Sequence, residues 1–196
     1  MNVPVLPKVQ MTVAEFLTWS ERQPDGRYEL VEGKIVAMTR DNVQHNRAKA
    51  AVWRALDDAV RGAGLPCIVF IDGVGVAINE GTLRIPDVVV HCGAEPPPDA
   101  MIVESPLIVV EVVSPSSERD DVDTKLLDYF SLASVQHYLI VFPKRRVVVH
   151  YMRGERGKID VSIAHDGEIT LKPPGIAASV AALLGPLHSA QPGVRQ

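Results

Sequence analysis

The chain has 196 residues, 46% hydrophobic and 22% charged, a composition that excludes a disordered chain and suits one unit with a substantial core. A net charge of -4 and a pI near 5.9 exclude the strongly basic balance of a non-specific nucleic-acid binder. They leave room for a nuclease, because clustered acidic ligands lower the net charge while a binding rim stays basic. Residues 1–10, with Pro4 and Pro7, read as an extended arm and hold no apolar core of signal-peptide length. No later run reaches membrane-spanning length, so the expected location is the cytoplasm. Thr12-Val13-Ala14-Glu15 has the form of a capping box and predicts a short helix that turns Phe16 and Leu17 inward. Arg27–Val31 and Lys34–Met38 flank Glu32-Gly33 as the two arms of a hairpin.

A helix is predicted from about Gln44 to Arg61, ending near Gly62 and Gly64, with the apolar stripe Ala48, Val52, Ala55, Leu56 and Ala59. His45 falls on that stripe at the helix start. Strands follow at Cys67–Ile71, Val74–Ile78 and Leu83–His91, then a stiff loop at Pro96-Pro97-Pro98 and the strand around Glu111. Cys67 and Cys92 fit no metal-ligand spacing and read as reduced, buried packing in a reducing compartment. Ser114-Pro115-Ser116-Ser117 breaks that strand and caps a helix from about Glu118 to Leu132, whose buried face is Val122, Leu126, Tyr129, Phe130 and Ala133. Strands at His137–Phe142 and Arg146–Met152 flank a Pro143-Lys144-Arg145 turn. Lys144-Arg145-Arg146 reads as a solvated turn or as a contact to a DNA backbone. Residues 159–171 read as a further hairpin, and Val180–Leu184 as a short helix. The expected organisation is an arm over 1–10, one domain over 11–185 and a polar tail over 186–196.

One glutamate stands out. In Pro106-Leu107-Ile108-Val109-Val110-Glu111-Val112-Val113, aliphatic side chains flank a carboxylate in what reads as a strand buried on both faces. Ile85-Pro86-Asp87-Val88-Val89-Val90 repeats the pattern. An ionised carboxylate in such a setting needs a partner. Either each acid meets an Arg or Lys inside the fold, or the two share a divalent cation; their joint occurrence favours the cation. Oxygen ligands suit Mg²⁺ or Mn²⁺ rather than zinc. The strand–helix–strand segment from Leu107 to Phe142 is long enough for a crossover, which predicts a mixed sheet with Asp87 and Glu111 on adjacent strands. Lys125 lies at the edge of the following helix's apolar face, where spacing alone makes it a solvated residue paired with Asp121 or Asp128.

Pro86-Asp87 followed by Glu111 in an apolar strand resembles the signature of the PD-(D/E)XK nuclease superfamily. More closely, the chain is similar to the putative restriction endonuclease family within it. The resemblance rests on Tyr28-Glu29-Leu30-Val31-Glu32-Gly33, the His45 helix start, Pro86-Asp87-Val88, Val110-Glu111-Val112-Val113-Ser114-Pro115-Ser116, Lys125 with Asp128-Tyr129, and the Val135–Phe142 strand. It covers roughly residues 11–185. It implies an α/β fold, a mixed central sheet flanked by helices, with a restriction-endonuclease-like core preceded by a helix and hairpin. It implies a metal-dependent endonuclease that hydrolyses DNA phosphodiester bonds, with Asp87 and Glu111 as ligands for Mg²⁺ or Mn²⁺. The superfamily's motif places a lysine two residues after the second acid, and that position here is Val113. Lys125 becomes the candidate replacement and third catalytic residue. Glu29 reads equally as a solvent-facing strand residue or as an added acid near the metal. His45 reads as a core histidine or as a neutral imidazole facing phosphate. A homodimer is expected, since enzymes that cut both strands often pair. The alternative is a non-catalytic nucleic-acid-binding or interaction module on the same fold.

Overall fold

Two valine-rich strands set the centre of the molecule. In the computed structural model, which describes residues 10–23, 27–113 and 122–186, these are β6 (Val88–Cys92) and β7 (Pro106–Val112). Val88, Val89, Val90, Val109 and Val110 are all buried. Burial on both faces explains why these runs do not alternate, and each such side chain contributes roughly 2 kcal/mol by leaving water. A six-stranded sheet in the order β10-β9-β8-β7-β6-β3 grows from this pair. Its other members are β3 (Cys67–Ile71), β8 (His137–Phe142), β9 (Val147–Arg153) and β10 (Ile159–Ala164). β7 and β8 run parallel and the remaining neighbours antiparallel, so the sheet is mixed, as expected. The parallel pair is joined by α3 (Val122–Ser131).

One face of this sheet packs on α2 (Val43–Gly62), α4 (Val180–Leu184) and the ribbon of β11 (Glu168–Leu171) and β12 (Ile176–Ser179). The other face packs on α3 through Tyr129 and Phe130. A second, four-stranded sheet has the order β2-β1-β5-β4, from β1 (Tyr28–Val31), β2 (Lys34–Ala37), β4 (Val76–Asn79) and β5 (Thr82–Arg84). It shares a small core with α1 (Val13–Ser20) through Phe16, Leu30 and Leu83. The capping box forms: Thr12 accepts from the Glu15 N–H while the Glu15 carboxylate accepts from the Thr12 N–H at 2.8 Å. The β1–β2 hairpin turns on Glu32 (φ 49°) and Gly33 (φ 72°), both in the left-handed region that a tight two-residue turn demands. A Cβ on Gly33 would also meet Gln10 Cβ at 2.6 Å.

The structure corrects several expectations. Leu83–His91 is not one strand. It breaks at Pro86, which has no N–H for a ladder, and the chain passes there from β5 in the smaller sheet to β6 in the larger. Asp87 sits at this corner. Residues 159–171 are not a hairpin: β10 pairs with β9, and β11 pairs with β12. Cys67 and Cys92 are not reduced packing but a disulfide, because they fall directly opposite each other in the β3–β6 register with Cα atoms 4.0 Å apart. That removes the cysteine argument for a reducing compartment. Among the described residues no helix is long and apolar enough to cross a membrane. The Ser114-Pro115-Ser116-Ser117 cap, the helix start at Glu118, Asp121, the first nine residues of the arm and the tail from 187 lie outside the described residues.

At the end of β8 remote from Glu111, His137 and His150 form a buried pair, Nδ1 to Nε2 at 2.9 Å, with the second His137 nitrogen donating to the Pro173 carbonyl at 2.8 Å. Burial lowers both imidazoles, and the neighbouring His137 helps to push His150 down to about 4. Below the ordinary imidazole value of about 6.5 the unfolded chain takes up protons that the folded pair refuses. The stability carried by the pair is therefore complete above that value and is lost as pH falls toward 4. In urea denaturation, the stability advantage of the wild type over His150→Gln should shrink between pH 7 and pH 5. An advantage that stays constant or grows would contradict a neutral pair.

Candidate active site

β6 and β7 pair with Val88 opposite Val110, which brings Asp87 and Glu111 to the same end of adjacent strands. The Asp87 carboxylate is tied to the neighbouring strand, where Oδ2 accepts the Val112 N–H at 2.7 Å. Strand alternation turns Glu111 to the side of Val109, the face covered by α3. There its Oε1 accepts from the Tyr129 hydroxyl at 2.8 Å and from Lys125 Nζ at 3.0 Å. Both acids line one cavity of about 290 Å³ together with Glu29, His45, Lys125 and the Val36–Asn42 segment. All five residues singled out in the sequence thus meet in one place.

Each arrives by its own local route. α2 is capped by Asn42, whose side chain accepts the His45 N–H at 2.9 Å, so His45 faces the cavity from the first turn. Its Nε2 lies 3.4 Å from Asp41 Oδ1 and 3.8 Å from Asp87 Oδ1. Glu29 is not solvent-facing. It is buried on β1, accepts the Ile85 N–H at 2.9 Å and pairs with Arg84 at 3.1 Å. Lys125 is not a solvated helix lysine paired with Asp128. Asp128 pairs with Arg84 at 2.7 Å, while Lys125 turns to Glu111 and comes within 3.9 Å of Glu29.

The sequence reading missed the cation behind Asp87. Lys49 is buried on α2, one turn after His45, with Nζ 3.3 Å from Asp87 Oδ1 and 2.7 Å from Asp72, and it also pairs with Asp41. Arg27 closes the same network by pairing with Asp41 at 3.1 Å and with Asp72. The signal was present: Lys49 falls at i+4 from His45 and i−3 from Val52, on the inward stripe. A lysine on an apolar stripe looks like a solvated residue until the carboxylates around it are known.

The electrostatics of the two acids differ. Burial would raise Asp87, but the His45 contact, the Val112 N–H and the Lys49 charge outweigh it and hold the carboxyl below its ordinary value. Burial pushes Glu111 up to about 7. Lys125 pulls the other way, the Asp87 and Glu29 charges add to the rise, and the Tyr129 hydroxyl lowers it. Burial lowers Lys49, yet its bonds to Asp41 and Asp72 and the nearby carboxylate charges leave it raised and firmly protonated. Tyr129 is raised well above its usual value by burial and by Glu111, so it stays a donor.

Both partner types weighed from the sequence bear on this arrangement. Each acid has a lysine, Lys49 for Asp87 and Lys125 for Glu111. The pairing is nevertheless incomplete. Among the described residues two adjoining networks together hold six carboxylates against four lysines and arginines: Arg27 and Lys49 meet Asp41, Asp72 and Asp87, with His45 against Asp41 and Asp87, while Arg84 and Lys125 meet Glu29, Glu111 and Asp128. That surplus, and a glutamate near half-protonation at neutrality, fit a hard divalent cation. No three His, Cys, Asp or Glu side chains among the described residues form a complete metal cage. Mg²⁺ does not need one, since one or two carboxylates with waters and substrate phosphate suffice.

The fold matches that of a solved putative nuclease belonging to DUF820 from Anabaena variabilis, with a TM-score of 0.70 and 19% identity over 89% of this chain and 97% of that one. An uncharacterized protein of Synechocystis is 28% identical over 139 residues, 70% of this chain and 72% of the relative. The sequence profile of Uma2, described as putative restriction endonuclease, matches residues 13–184. These residues include both acids, Lys125 and nearly every element that builds the cavity, and the chain belongs to that family.

Proposed function

We propose that the protein is a metal-dependent endonuclease that hydrolyses DNA phosphodiester bonds at the cavity holding Asp87 and Glu111. The observation that carries this reading is the meeting of two strand-end carboxylates and a helix lysine in one open cavity with a surplus of negative charge. Asp87 and Glu111 would hold Mg²⁺ or Mn²⁺, with Glu29 in the same cavity, 3.9 Å from Lys125 Nζ. A bound Mg²⁺ would supply Lewis-acid activation of the scissile phosphate.

The chain's own groups then divide the remaining work. Tyr129 and Lys125 fix the Glu111 carboxylate from the helix side. The Lys125 ammonium, set at the cavity wall, is placed to stabilise negative charge that builds on the phosphate. Lys49 and the Val112 N–H hold Asp87 ionised and oriented. His45 stands against Asp87 and Asp41, where its imidazole can donate to a phosphate oxygen. Cutting both strands of a duplex calls for two such sites, and a homodimer supplies them.

A non-catalytic DNA-binding module on the same fold is favoured by one feature, the lysine partner that each acid already has. Plasmid nicking separates the two. The wild type should nick supercoiled DNA with Mg²⁺ or Mn²⁺ and not with EDTA, and Glu111→Ala should abolish nicking while circular dichroism stays unchanged. An inert wild type, or a Glu111→Ala protein as active as the wild type, would reject the nuclease assignment.

Lys125→Met should lower the cleavage rate by roughly two orders of magnitude, the usual cost of losing one charge that stabilises a transition state. Its Mn²⁺ affinity should stay level or rise slightly, because a nearby positive charge is gone. Undiminished cleavage would remove Lys125 from the mechanism.

Isothermal titration with Mn²⁺ tests the site without turnover. Glu111 is raised to about 7 and must lose its proton to bind a cation. Affinity should therefore climb by up to about tenfold per pH unit below 7 and level off above it. A flat profile between pH 6 and pH 8 would show that Glu111 is not a ligand.

A further inference from the structure

The hairpin turn between β8 and β9 carries three consecutive cations that the catalytic cavity does not use. Two of them, Lys144 and Arg146, line a second cavity of about 390 Å³ with Gln44 and Arg47 of α2, closed by the Leu184–Pro186 segment. Among the described residues this cavity is lined by three cations and no acidic side chain, in a chain whose net charge is -4. Arg145, between the two, lies over the Phe142 ring and points elsewhere.

The cavity is built rather than incidental. Arg146 Nη1 donates to the carbonyls of Leu184 at 3.1 Å and Gly185 at 2.8 Å, which fixes the guanidinium on the cavity floor. Arg47 and Lys144 are exposed and make no hydrogen bond or ion pair among the described residues.

The second cavity adjoins the first. A small hollow lined by Asn42, Gln44, His45, Ala48, Val113, Pro143 and Lys144 shares residues with both. Asn42 and His45 belong also to the catalytic cavity, while Gln44, Ala48, Pro143 and Lys144 belong also to the basic one. An acidic cleft thus lies beside a cationic groove. The geometry points to a phosphate-binding subsite in which Arg47, Lys144 and Arg146 hold the backbone of the DNA strand as it leaves the scissile bond. The identity of the polyanion as DNA rests on the nuclease reading. The groove grips phosphate and reads no base, so it adds affinity and direction without sequence preference.

The test is fluorescence anisotropy of a labelled DNA duplex in EDTA across a salt series. Arg47→Gln/Lys144→Gln removes two exposed cations and spares the Arg146 floor. Arg156→Gln/Lys158→Gln is the control, an equal charge change at exposed residues beyond the far end of β9. The groove pair should weaken binding and make log affinity against log salt shallower by about 1.8, at roughly 0.9 for each phosphate that is no longer neutralised. The control pair should leave the slope unchanged. An unchanged slope in the groove pair, an equal change in the control, or no binding by the wild type would overturn the subsite. Plasmid nicking in parallel keeps the two readings apart. Binding that depends on the groove without any nicking leaves the subsite and removes the nuclease. Nicking with an unaltered salt slope does the reverse.

Discussion

Two carboxylates are held at the ends of strands that are otherwise almost wholly aliphatic, and the surrounding architecture answers that constraint. A lone buried charge is among the most costly features a fold can contain, and removing one partner of a buried ion pair typically costs about 3–5 kcal/mol. Asp87 is answered by Lys49 from α2 and by the Val112 N–H; Glu111 is answered by Lys125 and Tyr129 from α3. The two helices on opposite faces of the sheet are therefore fastened to it at the same end, by charge as well as by apolar packing. Arg84 extends the fastening to the smaller sheet, since it joins Glu29 on β1 to Asp128 on α3.

The same balance of charge and solvation explains why a lysine can leave the strand. Position 113 packs against the apolar cluster that includes Tyr129 and Phe130. A valine fits there at no electrostatic cost, whereas an ammonium at this half-buried position would give up part of its hydration against an apolar cluster. From the third residue after the start of α3, a lysine reaches the Glu111 carboxylate along the cavity wall, with its side chain still 15% exposed. The charge arrives at the site by a route that keeps contact with water, which lowers the desolvation it must bear.

Charge is also divided along this end of the molecule. The cleft carries more carboxylates than cations, and the groove beside it carries cations alone. A net charge of -4 averages over that contrast and conceals it. An acidic cleft would repel a polyanion by itself, so an adjoining cationic wall and a divalent cation in the cleft are complementary answers to one repulsion.

Local chemistry was legible in the sequence wherever it was carried by a short pattern. The Thr12–Glu15 cap, the Glu32-Gly33 hairpin, the α4 span and the aliphatic runs around Asp87 and Glu111 follow from propensity, turn geometry and period, and each holds in the structure. The resemblance to a nuclease family selected Lys125 where spacing alone favoured solvent. What the sequence could not decide depended on register and on which element lies beside which. Cys67 and Cys92 are 25 residues apart and meet only because β3 and β6 pair in one register. Pro86 marks a break, but only the tertiary structure makes that break a passage between two sheets. Lys49 becomes the partner of Asp87, and Lys144 the neighbour of Arg47, through contacts between distant segments. Sequence patterns record what a residue does to its own backbone; ion pairs and clefts are set by packing, which no local pattern encodes.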